Sequence, residues 1–278
     1  MTVNTPGRRL RRAAALSCVA LLLIAALVPI LRSRTEPRWL ADPGSTQPFA
    51  TPGAPLGLRD ALAAAPMLVA APEEAWPTQV PAPTGPVIEV PLAHRLGPVD
   101  VPTGFPATAE GAVAQLAALG VTVLEQMDTA TAAQVERRWS WPGQTEAGSW
   151  TLTRRVEAFT SASGENGGTA AAVTVRPVSG LVKSVDGSHW VLACVLWEVR
   201  ATVTVEATMV YGHCERMEWQ PSAEPAGHRS DPSGRWLMAA GSAAVPPAST
   251  WPGSEHWERA GWRVWVEDQP PELAEPTR

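Results

Sequence analysis

Lysine is nearly absent from this chain. Of 22 basic residues only Lys183 is a lysine, and 27 acidic residues outnumber them, for a formal net charge of −5. The pI is near 5.6. A body that grips nucleic acid is usually basic, so direct nucleic-acid contact is not expected. Tyrosine and phenylalanine are also scarce, at one and three against 13 tryptophans. With abundant alanine, proline and glycine, this skew reads as the coding bias of a high-GC genome, a mark of origin rather than of mechanism.

The short motifs of common enzymes are missing too. None of the five histidines (His94, His189, His213, His228 and His256) stands in HExxH spacing. No GxSxG elbow, P-loop or GxGxxG occurs. Asp186, Gly187, Ser188 and His189 hold triad residue types, but four consecutive residues cannot form a triad among themselves, and they read as a hairpin turn. Cysteine is limited to three residues without CxxC spacing. His213 and Cys214 are adjacent in a predicted strand and so face opposite sides, which argues against a metal site. No catalytic residue, cofactor or metal is expected, and the chain reads as non-enzymatic.

What is present begins with an uncharged apolar run, residues 13–31, directly after Arg8, Arg9, Arg11 and Arg12. At about 1.5 Å per residue such a helix is roughly 28 Å long, close to a bilayer's hydrocarbon thickness. A cleaved signal peptide would need small residues before a cut site, and the sequence from Arg32 to Pro37 offers none. A lipoprotein cysteine would end the run, whereas Cys18 lies near its start. The segment is therefore expected to be a single-pass membrane anchor. Arg32, Arg34 and Arg38 nearly balance the N-terminal arginines, so orientation follows from the long body after the span: residues 1–12 cytoplasmic, the body extracytoplasmic.

Fifteen of the 28 prolines fall between Pro37 and Pro106. Proline removes backbone donors and biases its neighbours to extended conformations, so 32–104 is expected to be a stalk. Residues 58–65 form a predicted short helix stopped by Pro66, and 87–90 an edge strand or clamp. An α+β domain is expected over 105–240. Thr108 is its first helix N-cap with Glu110 in the first turn, and Val113, Leu116, Ala117, Gly120, Val121, Leu124 and Met127 mark a buried face. Asp128 and Thr129 restart a second helix through Val135 and Trp139, and a third covers about 150–159. Strands follow at 171–178, 181–185, 190–204, 205–219 and 235–238, giving helices packed on a curved antiparallel sheet. Residues 241–278 read as a Pro/Trp-rich tail with a short helix near 255–263 and an unstructured end from Gln269.

Four positions and one pair stand out as candidate site residues. Cys194 and Cys214 lie symmetrically about position 204, so a hairpin turning there sets them opposite each other. They are either a disulfide, worth on the order of 3 kcal/mol through loop closure, or two buried thiols acting as small hydrophobes. Trp190 and Trp197 have odd separation and occupy opposite faces of one strand; each is a candidate for lining a cavity or meeting a partner, against the alternative of a packed core tryptophan. Glu215, Arg216 and Glu218 read as a solvated charge cluster, with His213 and Arg216 retained as candidate cavity or partner contacts.

The residues Gly104-Phe105-Pro106 and Thr108-Ala109-Glu110-Gly111-Ala112-Val113-Ala114, then Tyr211-Gly212-His213-Cys214-Glu215-Arg216-Met217, Arg235-Trp236-Leu237-Met238 and Ser249-Thr250-Trp251-Pro252-Gly253, resemble a family of uncharacterised actinobacterial membrane-anchored proteins of integrative conjugative elements and plasmids. The resemblance spans about 105–265. It departs at Ala109, where proline is expected at the helix start, a small loss because proline there only preorganises the first turn. The architecture is in turn similar to the assembly-factor domain of type IV secretion systems, a cone-like fold of the nuclear-transport-factor-like group. That likeness implies a scaffold in a conjugation apparatus whose partners are the membrane, other membrane proteins of a transfer complex and, as a candidate, further copies of itself. Two rivals are an extracytoplasmic module binding a lipid or cell-wall fragment beside Trp190 or Trp197, and an enzyme. A cavity holding an acidic residue beside a histidine would favour the enzyme, and a filled one would count against it.

Overall fold

A computed structural model describes residues 57–142, 149–164, 172–202, 206–221 and 234–268. The expected cytoplasmic tail, the anchor at 13–31, the first part of the stalk, the turn near position 204 and the chain end from Gln269 lie outside these residues. No helix among the described residues is long and apolar enough to cross a membrane.

The domain is α+β, with helices and a mixed sheet. Helix α1 is Leu58–Ala64, α2 is Ala109–Gln126, α3 is Thr129–Trp139, α4 is Thr151–Gly164 and α5 is Glu255–Arg259. Local chemistry sets their starts. The Thr108 hydroxyl accepts the Gly111 N–H at 3.0 Å, and the Asp128 carboxylate accepts the Thr131 N–H at 2.7 Å, each satisfying a donor that the first helical turn leaves free. Met127, in the left-handed region at φ 44°, turns the chain between α2 and α3. Hydrogen bonds to the Asp128 carboxylate hold its pKa below the ordinary value.

Strands β4 (Ala172–Val185), β5 (Trp190–Thr202), β6 (Glu206–Pro221) and β7 (Gly234–Met238) form an antiparallel meander. The two strands expected at 171–178 and 181–185 are one strand, because register shifts after Pro177 and Val182 absorb the irregularity without breaking the pairing. The expectation of a purely antiparallel sheet is corrected by its other edge. β8 (Arg263–Glu267) pairs antiparallel to β4, and β1 (Val87–Val90) pairs parallel to β8, giving the order β1-β8-β4-β5-β6-β7. Nearly the whole domain intervenes between β1 and β8, so no hairpin constrains their direction. A separate two-stranded ladder joins β2 (Arg95–Leu96) to β3 (Pro102–Thr103).

The sheet is buried on both faces. In β5, Val191, Ala193, Val195 and Trp197 join the core under α2, α3 and α4, while Trp190, Leu192, Cys194 and Leu196 face the opposite layer. That second layer is built from segments expected to lie outside the domain. Ala63, Ala75, Trp257 and Trp262 are buried in it, and Ile88, Val90 and Val101 are buried against the helices. Backbone bonds stitch its two halves together, from Val245 N–H to the Ala63 carbonyl and from Trp251 N–H to the Glu74 carbonyl. From Gly57 onward the expected stalk is therefore part of the body, as is the expected tail through Asp268. Proline costs a strand its donors but not its apolar surface, so proline-rich chain serves as a covering layer where few ladder bonds are needed.

Close approach fixes the helix layer. A Cβ on Gly120 of α2 would lie 2.2 Å from the Trp197 indole, and the indole N–H reaches the Ala117 carbonyl at 3.4 Å.

Two expectations follow. In an exposed helix Gly→Ala stabilises by up to about 1 kcal/mol; Gly120→Ala instead destabilises by about 1–3 kcal/mol through overpacking, read as a lower urea midpoint at unchanged slope. A chain beginning at Gly57 melts cooperatively, whereas one beginning at Gly104 uncovers Trp190, Leu192 and Trp257 and loses the cooperative transition in circular dichroism. A cooperative melt of the shorter chain would refute the two-layer account.

Candidate functional site

Strand β6 carries chemistry-bearing side chains on both faces, and strand alternation sorts them. On the helix face stand Tyr211, His213 and Glu215. Tyr211 stacks on Trp197 with ring centroids 6.2 Å apart, His213 stacks on Tyr211 at 6.5 Å, and Trp150 meets His213 edge-on at 6.5 Å. The Arg155 guanidinium lies 5.9 Å from the Tyr211 ring centre. Burial pushes the Tyr211 phenol up, against the lowering effect of the nearby Arg155 guanidinium.

Glu215 is committed on both oxygens. Its Oε2 accepts the Trp150 indole N–H at 2.8 Å and lies 3.1 Å from His213 Nε2, while its Oε1 accepts the Arg216 backbone N–H at 3.1 Å. Next to it the fully buried Glu136 accepts the Trp150 N–H at 2.9 Å, the Thr153 hydroxyl at 2.8 Å and the Ser149 hydroxyl at 3.2 Å. An acidic residue thus does lie beside a histidine, but in a packed setting where the carboxylates order the start of α4.

The opposite face of β6 carries Cys214 and Arg216. Cys194 and Cys214 are directly opposed in the β5–β6 register and joined by a disulfide, with Met67 Sδ 3.8 Å from Cys214 Sγ. Arg216 is only 3 % exposed. Its Nη1 donates to Asp60 of α1 at 2.7 Å and to the Ala240 carbonyl at 3.4 Å, and its Nη2 donates to the Ser242 hydroxyl at 3.1 Å. The loop closes around the guanidinium at Gly241, φ 123°, where a Cβ would fall 2.1 Å from Nη1. Beside this pair, Arg59 Nε bonds Asp186 at 2.7 Å and its Nη1 bonds Glu218 at 3.1 Å, with its guanidinium 5.4 Å from the Trp190 ring centre. Lys183 Nζ donates to the Ala65 and Ala63 carbonyls at 2.7 and 3.2 Å, satisfying acceptors at the end of α1, although burial pulls its pKa down.

The solvated cluster expected of Glu215, Arg216 and Glu218 is therefore corrected. Consecutive residues of a strand point apart, so Glu215 goes to the helix layer and Arg216 to the covering layer. Glu218 alone keeps a half-exposed surface pairing. Trp190 and Trp197 lie on opposite faces as expected, and both are core side chains, at 1 % and 0 % exposure. His256 pairs with Glu74, and His228 lies outside the described residues. Among the described residues no group of three or more His, Cys, Asp and Glu side chains could hold a metal ion.

Sequence reasoning missed a third feature. An open cleft of about 400 Å³ runs beside β1, lined by Val87, Glu89, Glu110, Arg263 and Asp268 among others. Its walls come from the expected stalk, domain and tail together, so no local pattern could reveal it. Comparison with protein-family models, curated proteins and solved structures finds no match for the chain.

The arginine contacts predict unequal costs. Asp60→Ala leaves a buried guanidinium without its counter-ion and costs about 1–3 kcal/mol. Arg59→Ala removes two ion pairs whose shared arginine is 41 % exposed and costs about 1 kcal/mol or less. Chemical denaturation of both variants tests the order; a larger loss at Arg59 would show that Asp60 and Arg216 do not fasten α1.

Proposed function

We propose that this protein is a single-pass, membrane-anchored scaffold of a conjugative DNA-transfer apparatus of type IV secretion kind, acting through protein–protein contacts. The observation that carries this reading is the filled interior. In a cone-like, nuclear-transport-factor-like domain the space for a ligand lies between helices and sheet, and here Trp197, Tyr211 and His213 occupy it as a stack. Trp197 is pressed onto Gly120. The order of α2, α3 and α4 followed by β4 to β7 also suits that finer fold. Tryptophan side chains offered to a lipid or cell-wall fragment would need an open wall, and the burial of Trp190 and Trp197 weighs against the binding-module reading. The His213–Glu215 pair spends its bonds on Trp150 and the Arg216 backbone, which weighs against acid–base catalysis.

The membrane reading rests on residues 13–31 and the family resemblance.

In-cell crosslinking of the tagged full-length protein, read by mass spectrometry, is expected to recover a transfer ATPase or polytopic element-encoded membrane proteins. Deleting the gene is expected to abolish transfer and leave growth normal. Unaffected transfer, or recovery of cell-wall enzymes alone, would overturn the proposal.

A further inference from the structure

The two edges of the six-stranded sheet are treated differently. The β7 edge is closed: Ser140 bridges to Met238, the Trp141 N–H bonds the Met238 carbonyl at 2.8 Å, and Arg95 Nη2 bonds the Gly234 carbonyl at 3.1 Å. The β1 edge has no strand beyond it among the described residues. The carbonyls of Pro86 and Val90 accept the N–H groups of Val264 and Asp268, each at 2.9 Å. By the alternation of a strand, the N–H and C=O groups of Val87 and Glu89 therefore point away from β8, to the open side. Ile88 and Val90 turn into the core against α2, whereas Val87 and Glu89 are exposed. Val266, the register partner of Glu89, is exposed too, so two valines flank that carboxylate on the outer face.

The cleft lies along this edge, and its ionisable lining is unbalanced. Glu89, Glu110 and Asp268 face a single Arg263, all four are exposed, and none forms an ion pair with another described residue. Natural sheets normally blunt such edges, and here prolines at 86 and 91 limit the open stretch to the strand itself. We propose that the β1 edge is the docking site for an extended, lysine- or arginine-bearing segment of a partner protein, which adds as a strand beside Val87 and Glu89. Main-chain bonds from Val87 and Glu89 hold the segment, contact with Val87 and Val266 sets its register, and the carboxylates select basic side chains. This inference rests on the scaffold reading and names the surface through which that scaffold works.

The test uses the full chain in detergent solution and two fluorescent synthetic peptides, one alternating lysine with valine and threonine, the other with glutamate in place of lysine. The basic peptide is expected to bind, to slow amide exchange at Val87 and Glu89, and to be displaced by salt; the acidic peptide is expected not to bind. Glu89→Pro removes one outward donor without touching the ladder to β8. It should weaken binding about tenfold, the scale of one lost hydrogen bond. The double charge reversal Glu89→Lys with Asp268→Lys supplies an independent variant should the proline disturb folding, and should abolish discrimination between the peptides. Equal binding of both peptides, absent protection at Val87 and Glu89, or undiminished binding in both variants would overturn the proposal. So would a dimer that Glu89→Pro dissociates, which would assign the edge to a second copy. Crosslinking separates the two levels. Transfer partners retained by an edge variant that has lost peptide binding would refute the edge and leave the scaffold standing, whereas edge binding without transfer partners would do the reverse.

Discussion

The structure depends on one constraint: the central strand must be covered on both faces. Every residue from Trp190 to Trp197 is buried, and an indole or leucine left facing water on either side forfeits about 1.5–3 kcal/mol. Helices α2, α3 and α4 supply one cover. Among the described residues the other has no long helix, only the short α1 and α5. It comes instead from proline-rich chain on both sides of the domain, held by a few backbone bonds and by tryptophans. Trp257 donates its indole N–H to the Ser179 hydroxyl at 2.9 Å, and Trp262 donates to the Ala248 carbonyl at 2.9 Å. Tryptophan suits this work because it brings a large apolar body with one donor to satisfy.

The charges follow from the same constraint. α1 is only seven residues long and would be marginal alone. What places it is electrostatic: Asp60 meets a guanidinium that has little other solvent, Arg59 bridges two carboxylates, and Lys183 takes up its terminal carbonyls. Removing water from Arg216 is costly, and its Nε has no partner among the described residues. The cost is offset only while α1 and the Gly241 loop stay in place. The disulfide beneath them ties β5 to β6, so the covering layer rests on a rigid floor.

How much of this was legible depended on range. Thr108 and Asp128 mark helix starts through side-chain chemistry three residues away, and both were readable. The symmetry of Cys194 and Cys214 about position 204 carried the β5–β6 register because a hairpin is a local object. The β1–β8 pairing was not readable, since a short apolar alternation shows that a strand exists but not which distant strand it joins. Proline density suggested a stalk because composition counts lost donors and not apolar side chains, although 87–90 did read as an edge strand or clamp and is the edge strand β1. One signal was present and underused. Eight unbroken apolar residues from Trp190 to Trp197 in an antiparallel sheet already require two buried faces, hence a second layer somewhere in the chain. Glu215 and Arg216 were misread for the converse reason. Their charge suggested solvent, while their adjacency in a strand required that they diverge, and the partners that make burial tolerable, Trp150 and Asp60, lie far off in sequence.

With both faces covered, the β1 edge still has no strand beyond it among the described residues. The β1 edge is where the first covering segment and the last strand meet, so it forms only once both ends of the domain have been threaded into place. A partner that adds to it would recognise the completed fold rather than any local peptide. It would also bind one strand away from β8, whose position depends on Trp257 and Trp262 being packed in the covering layer. Docking there couples partner recognition to the integrity of the covering layer, and through α1 to the segment that leads back toward the proposed anchor.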